Sequence, residues 1–264
     1  MTMEKKCIPG ISGDLIYYRF QGLNRFSGVR HGIFTRHGGC STGPFESLNV
    51  GLSVGDEPPH VERNRALIAG AVGAETLFAA RQVHGREVAV VERDDVVSAD
   101  LRQICVPTAD ALITAVKGVA LLIQVADCQP ILLYDPVQNV IANVHSGWRG
   151  SVQNIVGRTI ETMTERFGCL PPDIIAGVGP SLGPCCAEFI HYRREIPQHL
   201  WSYKNSRDYF DFRAMTRDQL KNAGVRDDHI SIADICTRCR TDLFYSYRKA
   251  HTTGRFASVI LLTA

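Results

Sequence analysis

Four short apolar runs crowd residues 110–145: DALIT at 110–114, VALLIQV at 119–125, PILLYD at 130–135 and NVIANVH at 139–145. Each is rich in Val, Ile and Leu, shorter than a typical helix, and bounded by turn formers, a pattern that predicts buried strands of a mixed sheet. Further strands are expected at 173–179, 229–234 and 255–262. After Gly150 the period changes. Val152, Ile155, Val156, Ile160, Met163 and Phe167 fall at helical spacing, with Ser151 as the expected N-cap and Gly168 as the stop. A second helix is predicted after Pro58-Pro59, from His60 to Val72, with others over parts of 191–202 and 213–223. Residues 77–95 read as two strands around a turn at His84-Gly85, which puts His84 at a strand end. No internal repeat, low-complexity tract or linker is evident. The expectation is an α/β (α+β) fold, a single domain over residues 1–264 with a mixed β-sheet core covered by helices.

A chain of 264 residues, 45% hydrophobic and 21% charged, can bury a large core. Its formal net charge of +2 is too small for a general nucleic-acid binder, while a small anion remains a suitable ligand. The basic start has no apolar segment before Pro9-Gly10, so no signal peptide is read. The longest apolar stretch falls well short of the roughly 20 residues a membrane helix needs. Nine cysteines, an odd number scattered along the chain, fit reduced thiols in a cytoplasm better than a secreted disulfide framework. These readings predict a cytoplasmic protein, monomer or homodimer, with no nucleic-acid or membrane partner.

Cys128 precedes the 130–135 run, and His145 ends the 139–145 run. The turn DPVQN between them favours an antiparallel hairpin, in which the first residue of one strand lies opposite the last of the other. Cys128 and His145 are therefore expected to be neighbours. If His84 joins them from the RQVHGR turn at 81–86, the three form a nitrogen-plus-sulfur set suited to zinc, with a fourth position left for water or substrate. Taken singly, each residue also has a structural reading: a small buried hydrophobe for the cysteine, a hydrogen-bonded turn residue for each histidine.

The segments HGIFTRHGGCSTGPFESLNVG (31–51), GDEPPHVERNR (55–65), RQVHGREV (81–88), ADALIT (109–114), ADCQPILLYD (126–135), VHSGWRG (144–150), GVGPSLGPCC (177–186), CTRCRTDLFYSYR (236–248) and TTGRFASVILL (252–262) occur in this order. Together they resemble the bacterial polyphenol-oxidase-named family, also described as multicopper polyphenol oxidoreductases (laccases). That family includes purine nucleoside phosphorylases with adenosine deaminase activity. The resemblance implies that His84, Cys128 and His145 bind the metal, and that Arg65 belongs to the active site. Gln129 and Ala187 depart from the family pattern, where an aliphatic and an aromatic residue are usual; neither departure removes a ligand.

Arg65 and Arg36 are candidate phosphate contacts because a guanidinium offers a planar fork of donors; Asn49 and Arg149 complete the expected substrate and phosphate set. Cys185-Cys186 with Cys236-x-x-Cys239 invites a four-thiolate zinc reading, but adjacent side chains diverge in an extended chain, so that reading is set aside. A multicopper oxidase needs about ten histidines, many in His-x-His pairs, if imidazole is the copper ligand. Nine histidines and no such pair are present, so Cu2+ is expected only as an alternative loading of the Zn2+ site. The resemblance and the residues together predict a zinc-dependent purine nucleoside phosphorylase. It would cleave adenosine, inosine or guanosine with phosphate, with adenosine deaminase and methylthioadenosine phosphorylase side activities. The alternatives are a laccase-like polyphenol oxidase, a cysteine hydrolase using Cys128, and a metal-stabilised ligand-binding module.

Overall fold

The computed structural model describes residues 3–97 and 107–263. Its strands, in chain order, are β1 (Met3–Pro9), β2 (Asp14–Phe20), β3 (Val29–Phe34), β4 (Thr76–Ala79), β5 (Val88–Val90), β6 (Ala111–Thr114), β7 (Val119–Val125), β8 (Gln129–Asp135), β9 (Val140–Ser146), β10 (Ile175–Val178), β11 (Ile230–Ile232) and β12 (Phe256–Leu262). They form two six-stranded mixed sheets, ordered β1-β2-β3-β12-β7-β4 and β11-β10-β8-β9-β6-β5. The expected mixed core covered by helices is present. It is divided between two sheets because apolar runs announce burial without naming the strand each will pair with.

Side-chain alternation explains the layering. Successive residues of a strand face opposite ways, and every residue of β8 and β9 is buried. Leu132, Tyr134 and Ile141 face one way, into a core shared with Leu121, Ile123 and Ile260 of the other sheet. Ile131, Leu133, Val140 and Val144 face the other way and pack on Ile155, Ile160 and Met163 of the helix Ile155–Phe167. On the far side of the first sheet, Leu122, Val259 and Leu261 cover Ile68 and Val72 of the helix Pro58–Val72. The order is therefore helix, sheet, sheet, helix. Between the sheets, Asn143 Nδ2 donates to the carbonyls of Leu121 and Ser258 at 2.9 and 2.8 Å, a polar clip whose buried amide is satisfied from both sides.

Two local expectations need correction. The two strands expected within 77–95 are present but do not pair with each other: β4 pairs in parallel with β7, and β5 in parallel with β6 of the other sheet. His84 lies on the connection between the sheets, not at a strand end. The helix after Gly150 is also broken. Trp148–Val152 forms one turn-length piece, and Asn154, in the left-handed region at φ 55°, caps the next helix by accepting the Gly157 N–H. The cap is Asn154 and not Ser151, because an Asn tolerates that backbone and supplies the acceptor. Gly168 ends the helix as expected, at φ 69°.

Candidate functional site

The hairpin register sets two of the three candidate ligands. Pro130 pairs with His145, and Gln129 with Ser146. Cys128 lies two residues before Pro130, so it shares the face of Pro130 and His145 and sits diagonally across from the imidazole. His84 arrives on the loop between β4 and β5, with φ 61°, a backbone unusual for a residue with a Cβ. Asp110 holds it there. Its carboxylate accepts the backbone N–H groups of Val83, His84 and Gly85 at 3.3, 2.9 and 2.7 Å, and its Oδ1 also lies 2.7 Å from His145 Nδ1. One buried carboxylate therefore fixes both histidines and leaves His145 Nε2 for a ligand, the carboxylate–histidine arrangement common behind bound metals.

The donor atoms of His84, Cys128 and His145 lie within 4.8 Å of one another. The cradle is tight. A Cβ on Gly147 would stand 2.9 Å from His84 Cδ2 and 3.1 Å from Cys128 Sγ, so position 147 must lack a side chain. Burial alone would raise the Cys128 thiol and depress the His145 imidazole. The opposite holds: the charge and hydrogen bonds of His145 and His84 bring Cys128 down to about 6, while Cys128 and Asp110 bring His145 up to about 9. Asp110 is also lowered. Burial opposes this, but hydrogen bonds from His145 and the Gly85 N–H outweigh it. A thiolate and two imidazoles fit zinc, and three protein donors with no fourth grouped with them among the described residues match a site open to chemistry.

This cluster lines a cavity of about 790 Å³, within the range of small-molecule sites. Of the other sequence candidates, Arg149 lines it. Arg65, Asn49 and Arg36 are not among its lining residues. Arg65 directs Nε and Nη2 to the carbonyl of Val50 at 3.0 and 2.8 Å. Asn49, fully buried, accepts the N–H groups of Gly51 and Arg255 at 3.0 and 2.8 Å and donates to Asp56 at 2.8 Å. Arg36 donates to the Thr241 carbonyl at 3.1 Å, lies over the Tyr245 ring at 4.6 Å, and lines a separate depression with His37 and Ser41.

Sequence reasoning did not single out Asp110, Asp127, Arg248 or Arg255. Arg248 and Arg255 line the cavity. Burial lowers the pKa of Arg255, and the nearby Cys128 charge opposes that shift, so the guanidinium and the thiol feel each other. Asp127, at φ 84°, accepts Thr237 Oγ1 and the Arg248 N–H, both at 2.6 Å, and thereby sets the chain immediately before Cys128. An acid directly before an apolar run at Asp110, and directly before the candidate cysteine at Asp127, is the signal that could have found them. Trp148, Phe189, Phe212 and Tyr247 give the lining its aromatic surface. Gln129 also lines the cavity; its Oε1 accepts Thr216 Oγ1 at 2.6 Å, while its buried Nε2 has no partner among the described residues. Ala187 packs in an aromatic cluster with Tyr192 and Phe210.

The four-thiolate grouping set aside from the sequence is corrected by the geometry: the sulfurs of Cys185, Cys186, Cys236 and Cys239 also lie within 4.8 Å of one another. The objection assumed an extended chain. At 185–186 the chain turns, with the N–H groups of Cys186 and Ala187 both donating to the Gly183 carbonyl at 2.9 and 3.0 Å.

Among the described residues, no helix is long and apolar enough to cross a membrane. The family described as multi-copper polyphenol oxidoreductase laccase matches residues 30–263. A Geobacillus stearothermophilus protein named purine nucleoside phosphorylase YlmD is 35% identical over 90% of this chain and 92% of its own length. A Streptomyces coelicolor protein, also named purine nucleoside phosphorylase, is 37% identical over 89% of this chain and 96% of its own. A crystal structure of Bacillus licheniformis YfiH superposes with a TM-score of 0.84 at 30% identity, covering 94% of this chain and 96% of that one. The match over nearly the whole chain, together with these relatives, establishes that the chain belongs to the multi-copper polyphenol oxidoreductase laccase family, whose members include proteins named purine nucleoside phosphorylases.

Proposed function

We propose that residues 1–264 act as one metal-dependent domain that cleaves adenosine, inosine or guanosine with phosphate, giving the free base and ribose 1-phosphate. The observation that carries this reading is the convergence of His84, Cys128 and His145 in a cavity that also displays Arg149, Arg248 and Arg255. Zinc held by the three ligands would supply Lewis acidity inside that cavity. The arginines hold the attacking phosphate, because guanidinium groups pair with its oxygens. In the reaction a phosphate oxygen bonds to the ribose C1′ as the glycosidic bond breaks, and the base leaves with the bonding pair. Trp148, Phe189 and Tyr247 offer flat apolar surfaces against which a purine can lie. The free Nε2 of Gln129 supplies a buried donor to a base or sugar oxygen. Adenosine deamination and methylthioadenosine phosphorolysis are assigned to the same cavity.

The test is product analysis. The zinc-loaded chain, incubated with each nucleoside, is expected to release base and ribose 1-phosphate in equal amounts only when phosphate is present, and inosine from adenosine would report deamination. Absence of free base from every nucleoside overturns the reading. A cysteine hydrolase is the second reading, favoured by one observation: Cys128, His145 and Asp110 form a hydrogen-bonded line that favours a thiolate. His84 weighs against it, since a nucleophile needs only one base. Alkylation by iodoacetamide, followed residue by residue, separates the two. Zinc protects Cys128 if it is a ligand and leaves it reactive if it is a free nucleophile.

A further inference from the structure

Cys185, Cys186, Cys236 and Cys239 stand outside the cavity lining and take no part in the chemistry above. We infer that these four residues bind a second zinc ion in a closed, structural, four-thiolate site.

The distances favour one ion. Four sulfurs around a tetrahedral zinc, each about 2.3 Å from the metal, stand about 3.8 Å apart. Cys239 Sγ lies 3.7 Å from Cys185 Sγ and 3.5 Å from Cys186 Sγ, and all four sulfurs fall within 4.8 Å. A disulfide would bring two sulfurs to about 2.05 Å. All four thiols are free. The ligand set is entirely sulfur, which selects a soft or borderline tetrahedral cation over calcium or magnesium.

The backbone has already arranged the two halves. Ser181 and Cys236 form a parallel bridge, the Ser181 N–H donates to the Ile235 carbonyl at 3.3 Å, and the Thr237 N–H donates to the Ser181 carbonyl at 3.1 Å. This lays the 181–186 turn beside the 236–239 turn. Donors point at the sulfurs: the Gly183 N–H lies 3.3 Å from Cys236 Sγ, and Arg238 Nη1 lies 3.5 Å from Cys186 Sγ. Hydrogen bonds of this kind favour the thiolate, the form that binds metal. Space at Gly183 is tight, since a Cβ would stand 3.1 Å from both Arg213 Nη2 and the Cys236 Cβ and its neighbours would have to give way. Leu182 of the first turn lines the cavity, as do Phe189, three residues after that turn, and Tyr247 and Arg248, on the chain that follows the second. The second zinc therefore clamps the loops that form part of the substrate wall, and four protein donors leave it no open position.

The inference stands apart from the first metal centre, and its test keeps them separate. Zinc is counted by native mass spectrometry in the intact chain, in the His84→Ala/Cys128→Ala variant and in the Cys236→Ser/Cys239→Ser variant. The intact chain is expected to hold about two ions and each variant about one, with cobalt in the His84→Ala/Cys128→Ala variant giving the intense charge-transfer absorption of a four-thiolate site. A folded His84→Ala/Cys128→Ala variant without metal overturns the inference. So does a mass lighter by the hydrogens lost when these cysteines pair as disulfides. Should the thiol variants fail to fold, alkylation of the intact chain decides: zinc must slow modification of Cys185 and Cys239 by at least about tenfold, and unchanged rates reject the site. One zinc in the intact chain, retained in the His84→Ala/Cys128→Ala variant, would uphold this site and remove the first.

Discussion

Asp110 ties the proposed metal-ligand side of the cavity together through four hydrogen bonds, three from the backbone around His84 and one with His145. The cationic side is built differently. Arg255 Nη1 donates to the nearby carbonyls of Thr253 and Gly254, Arg248 reaches the Glu188 carbonyl, and Arg149 lies exposed over the Trp148 ring at 4.4 Å. Metal ligation needs donors fixed to within a few tenths of an ångström, and the candidate ligands come from strand ends and a carboxylate-bound turn. Anion binding by guanidinium works over a wider range of positions, because charge acts at a distance and a long stem can adjust. Arg248 and Arg255 accordingly sit on loops, and Arg149 on the short helical piece Trp148–Val152.

The contrast predicts unequal sensitivity on the two sides. Cys128→Ala, on the fixed side, is expected to lower phosphorolysis by about three orders of magnitude, the equivalent of several kcal/mol of lost charge stabilisation, with little change in Tm. Steady-state kinetics beside a thermal melt checks it; near-normal turnover would break the contrast at once. Asp110→Asn acts one bond further out and is expected to weaken zinc affinity by about 10–100-fold, measured by competition with a chromogenic chelator. Arg149→Ala should raise the KM for phosphate by about tenfold and leave the KM for nucleoside nearly unchanged, since it removes a charge-assisted contact on the adaptable side.

Arg65→Ala sharpens the same comparison from outside the cavity. Its loss leaves the Val50 carbonyl without its donors, so stability is expected to fall by about 1–3 kcal/mol in denaturant melts while the KM for phosphate stays put. A raised KM instead would return Arg65 to the anion site. One part of the acid sensitivity should trace to the scaffold. His31 is buried, its Nε2 accepts the Phe20 N–H at 2.7 Å, and burial lowers it from 6.5 to about 3. The unfolded chain takes up this proton near pH 6.5, and the folded chain only near pH 3. The contribution is thus complete above pH 6.5 and is lost as the pH falls towards 3, about 2 kcal/mol of it by pH 5. His31→Gln should flatten that slope; an unchanged slope would place the sensitivity elsewhere.

What could be read from the sequence follows from the range of the interactions involved. Cys128 and His145 were legible because a hairpin turn and strict alternation fix their relation within 18 residues of chain. The helix Pro58–Val72 was legible from its proline start and glycine stop. The division into two sheets was not, because it depends on which distant strand each apolar run pairs with. Asp110 stayed hidden, since an acid before a strand looks like a turn residue until the His84 loop is brought over it. The vicinal cysteines were misjudged for a local reason: the pattern gives spacing, while the turn at Gly183 sets direction. Arg65 and Asn49 stand in family-like motifs, yet both are engaged with backbone and side-chain groups around Val50 and Asp56.

The central claim is that His84, Cys128 and His145 hold an ion with one position left open. Anomalous diffraction at the zinc edge from crystals of the zinc-loaded chain tests it most directly. The predicted result is a peak about 2.0–2.3 Å from a ring nitrogen of each histidine and from Cys128 Sγ, with no fourth protein donor. A chain that converts nucleosides yet shows no peak there, or a peak closed off by a fourth side chain, would contradict the account.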